Sequence, residues 1–126
     1  MDAKNEILGR LSSKVSLLLQ GKNNINYLPN IDNGDYIIII NSKNIILTGN
    51  KKNNKKYYKH TGYIGNLKTI FFKDLINKNP NKIIYNSIKG MLPKNKLFKK
   101  IINKKLKIYK DSNHRHNSQK PIKIKI

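Results

Sequence analysis

The hydrophobic pattern changes its period along the chain. Over residues 7–20, Leu8, Leu11, Val15, Leu18 and Leu19 recur at helical spacing, with Arg10 and Lys14 on the opposite side. That spacing predicts an amphipathic helix. Gly21 predicts its left-handed C-terminal cap, and Lys22 complements the carbonyl end. An Asn-rich connection over 22–34 contains Pro29 and ends at Gly34. Four consecutive isoleucines follow, entered through Gly34-Asp35 and left through Asn41-Ser42. The run is short and β-branched throughout, and the stiff χ1 of isoleucine suits a pleated strand. Apolar at every position, Tyr36–Ile40 reads as an interior strand of an α/β domain, covered by helices on both faces. Ile45-Ile46-Leu47-Thr48 predicts a second short strand, and Gly49-Asn50 a turn.

From Lys51 the aliphatic periodicity vanishes. Residues 51–65 interleave Lys51, Lys52, Lys55, Lys56 and Lys59 with Tyr57, Tyr58, His60 and Tyr63, and include Gly62 and Gly65. Such a segment buries itself poorly. It reads as a basic loop offering ammonium groups to phosphates and ring faces to bases, with an exposed hairpin as the plainer alternative. Helical patterns return at Phe72–Lys78 and, after Asn79 as N-cap and Pro80 as first helical residue, over Pro80–Lys89. Ile83, Ile84, Ser87, Ile88 and Met91 form the inward side. Gly90 is expected to end this helix and Pro93 to prevent its resumption. A further helix is predicted over Lys96–Lys104, with Leu97, Ile101 and Ile102 inside and Lys96, Lys99, Lys100 and Lys104 outside. Leu106–Tyr109 predicts a last strand. The tail, 111–126, is polar and then alternates Ile122, Ile124 and Ile126 with Lys123 and Lys125, as an extended segment lying over a partner.

One domain of 126 residues accounts for all of this. The absence of cysteine removes disulfides and thiolate metal sites and suits a reducing compartment. No apolar run approaches the roughly 20 residues of a membrane helix. Met1 to Glu6 are polar and of mixed charge, unlike a signal peptide, so a soluble intracellular protein is expected. Charge changes the picture more. The chain carries 27 basic against 6 acidic side chains, a net of +21. Residues 1–50 hold five basic groups (Lys4, Arg10, Lys14, Lys22, Lys43) against four acidic ones (Asp2, Glu6, Asp32, Asp35), so nearly all the excess lies beyond residue 50. Lys, Asn and Ile fill roughly half the chain, as an AT-rich genome would produce. Codon bias explains Lys in place of Arg, yet not the near-loss of acids after residue 50. A polyanionic partner does.

Catalytic chemistry is thin. Asp32 and Asp35 are near enough to pair, but Asp35 fits a turn residue at the strand entrance. His114 and His116 flank Arg115, whose charge opposes a cation, and no further ligands stand nearby, so no metal is expected. Gly21-Lys22 and Gly49-Asn50-Lys51 lack the second glycine and Lys-Ser/Thr pair of a phosphate loop. The residues predict neither an enzyme, nor a cofactor, nor a small-molecule substrate. A small phosphate-binding enzyme remains one rival, and a general basic nucleic-acid-binding or RNA-chaperone protein another.

Several segments together resemble the large-ribosomal-subunit protein thirteen family in its bacterial or organellar form. They are Asp2-Ala3-Lys4 with Leu8-Gly9-Arg10-Leu11-Ser12-Ser13, then Leu19-Gln20-Gly21-Lys22, Gly34-Asp35-Tyr36 through Asn41, and Leu47-Thr48-Gly49-Asn50-Lys51. Lys56 through Tyr63, Lys89-Gly90-Met91-Leu92-Pro93-Lys94-Asn95, Leu106-Lys107-Ile108-Tyr109 and His114 through Pro121 follow in the family's order. The resemblance implies a three-layer α/β/α fold with a mostly parallel four-stranded sheet. It implies a structural role: binding large-subunit (23S-type) rRNA beside neighbouring large-subunit proteins, in the cytoplasm or an organelle, and acting early in subunit assembly. Binding of its own messenger RNA is a side role open to any ribosomal protein. Carried over residue by residue, the rRNA contacts are Lys51 to Tyr63 as above, Lys89, Lys94, Asn95, Lys96, Lys99, Lys100, Lys104, His114, Arg115, His116, Gln119 and Lys120. Relatives are expected to begin earlier, with an aromatic-rich strand leading into Asp-Ala. On that expectation the first strand is missing from this chain and Tyr36–Ile40 is short of hydrogen-bond partners. Phe98 stands where the family commonly has Gly, and Arg115 where it has a smaller residue.

Overall fold

The amphipathic pattern of residues 7–20 becomes helix α1, Leu8–Gln20, in the computed structural model, which describes residues 1–124. Leu8, Leu11, Val15, Leu18 and Leu19 are buried, and Gly21 closes the helix at φ +73°. The N–H of Lys22 donates to Leu17 O at 3.1 Å, satisfying a carbonyl the helix leaves open. The Asn-rich connection then doubles back across this end. Its asparagines bond its own backbone, Asn24 Nδ2 to Asn33 O and Asn33 Nδ2 to Asn26 O, both at 2.8 Å. Gly34 passes so close to α1 that a Cβ built on it would lie 1.9 Å from Leu19 O. Only glycine fits there.

Strand β1, Ile37–Ile39, is shorter than the predicted Tyr36–Ile40. Tyr36 stands largely outside, and Ile40 makes only a bridge to Asp2. The strand is interior. On one side it runs parallel to β4, Leu106–Ile108, in the register Ile37↔Leu106, Ile38↔Lys107, Ile39↔Ile108. On the other side Met1 to Ala3 run alongside: the Met1 amino group donates to Ile38 O at 2.9 Å, Ile40 N–H to Met1 O at 3.1 Å and Ala3 N–H to Ile40 O at 3.0 Å. The expected shortage of partners at β1 is thus met within the described residues. Ile37 and Ile39 are buried while Ile38 and Ile40 are half-buried, so cover is complete on one face and partial on the other. The second predicted strand reduces to one parallel bridge, Ile7↔Ile46, because α1 begins at Leu8 and takes over the hydrogen bonding.

The α/β class holds. Among the described residues the parallel sheet is a two-stranded ladder extended by these isolated bridges. Helices α4 (Pro80–Met91) and α5 (Lys96–Lys105) bank with α1 against it, and α3 (Phe72–Lys78) packs on α4. Phe72, Leu75, Ile83, Ile84, Ile88, Leu92, Ile101 and Ile102 complete the core. Asn79 caps α4 as predicted, accepting from Lys82 N–H, with Pro80 in the first turn. Gly90 does not end α4, however. The helix continues to Met91, because the stop comes from Pro93, which holds Leu92 extended (φ −87°, ψ 148°). Met91, expected inside, is exposed, three residues beyond Ile88, the last buried residue of α4. Phe98, an oddity in the resemblance, is a buried anchor of α5.

The segment 51–65 takes the hairpin alternative. Lys51–Asn54 form a helical turn, α2, and β2 (Lys56–His60) pairs antiparallel with β3 (Leu67–Phe71). Gly62 (φ +100°) and Gly65 (φ +72°) allow the connecting turn. The tail carries a short 3-10 turn, Asn117–Gln119. The last two residues of the predicted alternation, Lys125 and Ile126, lie outside the described residues.

Candidate nucleic-acid interface

The hairpin's alternation sorts its side chains onto two faces. Lys56, Tyr58 and His60 share one with Leu67, Thr69 and Phe71, and Tyr57 and Lys59 share the other with Lys68 and Ile70. Tyr58 and Tyr63 are 64% and 79% exposed, and Lys51, Lys52, Lys56, Lys59 and His60 are exposed too. Lys56 Nζ lies 5.2 Å from the Phe71 ring, and His60 Nδ1 accepts from Gly62 N–H at 3.0 Å. Lys59 and Lys68 stand directly opposite each other. Like charges in that position destabilise a two-stranded sheet, and a polyanion laid across them reverses the sign. Tyr57 differs from its neighbour. Its ring packs against the core, its hydroxyl is buried with no hydrogen-bond partner among the described residues, and burial pushes its pKa up. Half-buried Lys55 sits 5.5 Å from that ring.

The second surface is the turn from α4 to α5. Asn95, predicted as a contact, caps α5: its Oδ1 accepts Phe98 N–H at 2.9 Å. That bond fixes where Lys94 and Lys96 leave the helix end. A cleft of about 680 Å³ opens between this turn and the hairpin. It gathers six of the predicted residues, Tyr58, Lys89, Lys94, Asn95, Lys96 and Lys99, and among the described residues no carboxylate lines it. Lys100 and Lys104 are exposed elsewhere on α5.

The histidine tail is not brought into this cleft. His114 and His116 are half-buried around Tyr109, whose hydroxyl lies 2.9 Å from His116 Nε2. Ring centroids of Tyr109 are 6.3 Å from His114 and 5.9 Å from His116, and His114 Nδ1 accepts His116 N–H at 3.2 Å. The two imidazoles therefore hold the tail against the end of β4, leaving Arg115, Gln119 and Lys120 exposed.

Two acids are drawn off by lysines that are not predicted contacts. Asp111 pairs with Lys43, whose hydrogen bond holds the carboxyl below its usual range. Asp32 pairs at 2.6 Å with Lys105, a buried lysine that also donates to Gly34 O at 2.6 Å. The sequence reading missed Lys105, although it continues the buried stripe Phe98, Ile101, Ile102 at helical spacing. Asp2 is likewise held low, first by Asn41 Nδ2 at 2.8 Å and then by Lys4 N–H at 3.0 Å. Among the described residues no helix is long and apolar enough to cross a membrane.

The chain as a whole is similar to known proteins. A family model described as ribosomal protein L13 matches residues 1–115. A large ribosomal subunit protein uL13 from Wigglesworthia glossinidia brevipalpis is 52% identical over 123 residues, covering 98% of this chain and 86% of the relative. The protein of the same name from Buchnera aphidicola subsp. Cinara cedri is 52% identical over 126 residues, covering 100% of this chain and 88% of the relative. That from Malacoplasma penetrans is 50% identical over 126 residues, covering 100% and 86%.

Proposed function

The chain belongs to the ribosomal protein L13 family, a family of ribosomal proteins and not of enzymes, and we propose that it serves as a structural part of the large ribosomal subunit by binding that subunit's rRNA. One observation carries the reading: four lysines of α4, the α4–α5 turn and α5 (Lys89, Lys94, Lys96 and Lys99) line one cleft with the exposed hairpin residue Tyr58, and no carboxylate among the described residues joins them. The buried isoleucine and leucine core holds the backbone beneath these surfaces, so binding has the exposed lysine side chains left to order. Lysines that neutralise phosphates release condensed counterions, which supplies sequence-independent affinity. Selectivity then comes from RNA shape and from stacking on Tyr58, Tyr63 and His60, since the deep groove of A-form RNA is closed to side chains. Tyr57, turned to the core, supports the hairpin and takes no base. A cation-rich protein of this kind joins the rRNA while it is still folding, beside neighbouring large-subunit proteins, in the compartment where ribosomes assemble.

Co-sedimentation tests this reading. The tagged chain, expressed in a bacterium, is expected to remain with large subunits through a high-salt wash. Its release into the nucleoid fraction would instead mark a general nucleic-acid-binding protein.

A further inference from the structure

Gly90 has no intramolecular reason to be glycine. It lies within α4 in helical conformation, where glycine is the poorest choice after proline. A Cβ built there would meet nothing within 4 Å. The space beside it belongs to the cleft it lines, together with Tyr58 and the four lysines. At about 680 Å³ that cleft falls within the 300–1,000 Å³ typical of pockets for small ligands. Its walls include the exposed Pro93 and the half-buried ring of Tyr85, surface that suits a flat ring better than a bare phosphate. Asn86 adds a half-buried amide able to meet a base edge.

We propose that this cleft is a subsite for one unstacked nucleotide of the rRNA, its base lying against Tyr58 beside Gly90 and its phosphates held by Lys89, Lys94 and Lys99. The proposal rests on the rRNA-binding reading above and names what the cleft takes. A base within a duplex hides both faces in the stack, so only a bulged or looped-out nucleotide can enter. The lysine rim with no acid selects a polyanion over an apolar protein segment. Gly90 leaves the floor open for the base.

The test uses the full chain and a transcript of the large-subunit rRNA. Dissociation constants are measured for Gly90→Ala, Gly90→Leu, Tyr58→Leu and Tyr58→Phe, each with its thermal midpoint. Base–aromatic stacking is worth enough that Gly90→Leu and Tyr58→Leu should each weaken binding about tenfold or more. Tyr58→Phe, which keeps the ring, should bind within about twofold of the parent. Gly90→Ala should raise the thermal midpoint while weakening binding, a pairing that a merely structural glycine does not give. Ultraviolet crosslinking through Tyr58 should reach an unpaired nucleotide. If Gly90→Leu and Tyr58→Leu bind as the parent does, or the crosslink falls on a paired nucleotide, the subsite is wrong while rRNA binding stands. Should Gly90→Leu not fold, the Tyr58 pair decides. A parent chain that ignores the transcript overturns the broader reading and the subsite with it.

Discussion

Gly34→Ala should damage this protein far more than its chemistry suggests. The new Cβ would sit 1.9 Å from Leu19 O, where ordinary contact begins at 3.4 Å, so the backbone must part by about 1.5 Å. Both groups are main chain, and neither can rotate aside. One hydrogen bond spans that gap, Asp35 N–H to Leu18 O at 3.1 Å, and a second ties Gly34 O to α5 through Lys105 Nζ at 2.6 Å, so a displaced Gly34 strains both. A neutral bond contributes about 1 kcal/mol and a charged one about 1.5–3 kcal/mol. Against their loss stands a stiffened unfolded chain, worth about 0.4–1 kcal/mol in the mutant's favour. The net expectation is a loss of about 2–3 kcal/mol, a large share of the 5–15 kcal/mol that holds a domain together. Urea denaturation followed by far-ultraviolet circular dichroism reads it as a midpoint lowered by about 1–2 M. Gly9→Ala is the control: its Cβ meets nothing within 4 Å in α1, so it should gain about 0.5–1 kcal/mol. A Gly34→Ala midpoint at or above that of the parent would refute the packing of the connection against α1.

Three other changes follow from the same geometry. The Lys105 side chain is 9% exposed and that of Asp32 39%, so Asp32→Asn, which strands a buried ammonium, should destabilise more than Lys105→Met. The double mutant should fall short of additivity by about 1–2 kcal/mol in a denaturation cycle. Tyr57→Phe removes a buried hydroxyl that lacks a partner, so the thermal midpoint should hold or rise, by up to about 1 kcal/mol of stability. Asp2 has a carboxyl pKa depressed in the folded state by Asn41 and the Lys4 N–H. Its contribution is therefore present above the unfolded value near 3.9 and is lost as pH falls through the folded value. Parent and Asp2→Asn should differ at neutral pH and converge on titration below about pH 4; a constant difference down to the lowest pH would contradict the assignment.

The parts of the fold legible in the sequence are those where burial imposes a period. α1, α3 and α5 are marked by apolar spacing, with Gly21 closing α1 and Asn79-Pro80 opening α4. β3 was not legible because all five of its residues are exposed, and no buried face stamps an alternation on Leu67–Phe71. The end of α4 was misplaced because Gly90 looks like a cap. Its glycine serves open space, and the stop belongs to Pro93 acting through Leu92. For the proposed interface, charge and tyrosine content pointed to residues 51–65, and the resemblance pointed to the α4–α5 turn. They could not separate Tyr57 from Tyr58, adjacent residues on opposite faces, until the strand's pairing with β3 was known. Nor could they show that His114 and His116 hold Tyr109, a contact made across the end of β4.

The salt dependence of rRNA binding bears hardest on the idea that lysines on a rigid α/β body neutralise phosphates. Dissociation constants for a large-subunit rRNA transcript, measured across a series of potassium chloride concentrations, should give log K falling linearly with log[salt]. For about ten phosphate contacts the slope should lie near −7 to −9. Affinity that stays level from low to high salt would contradict it.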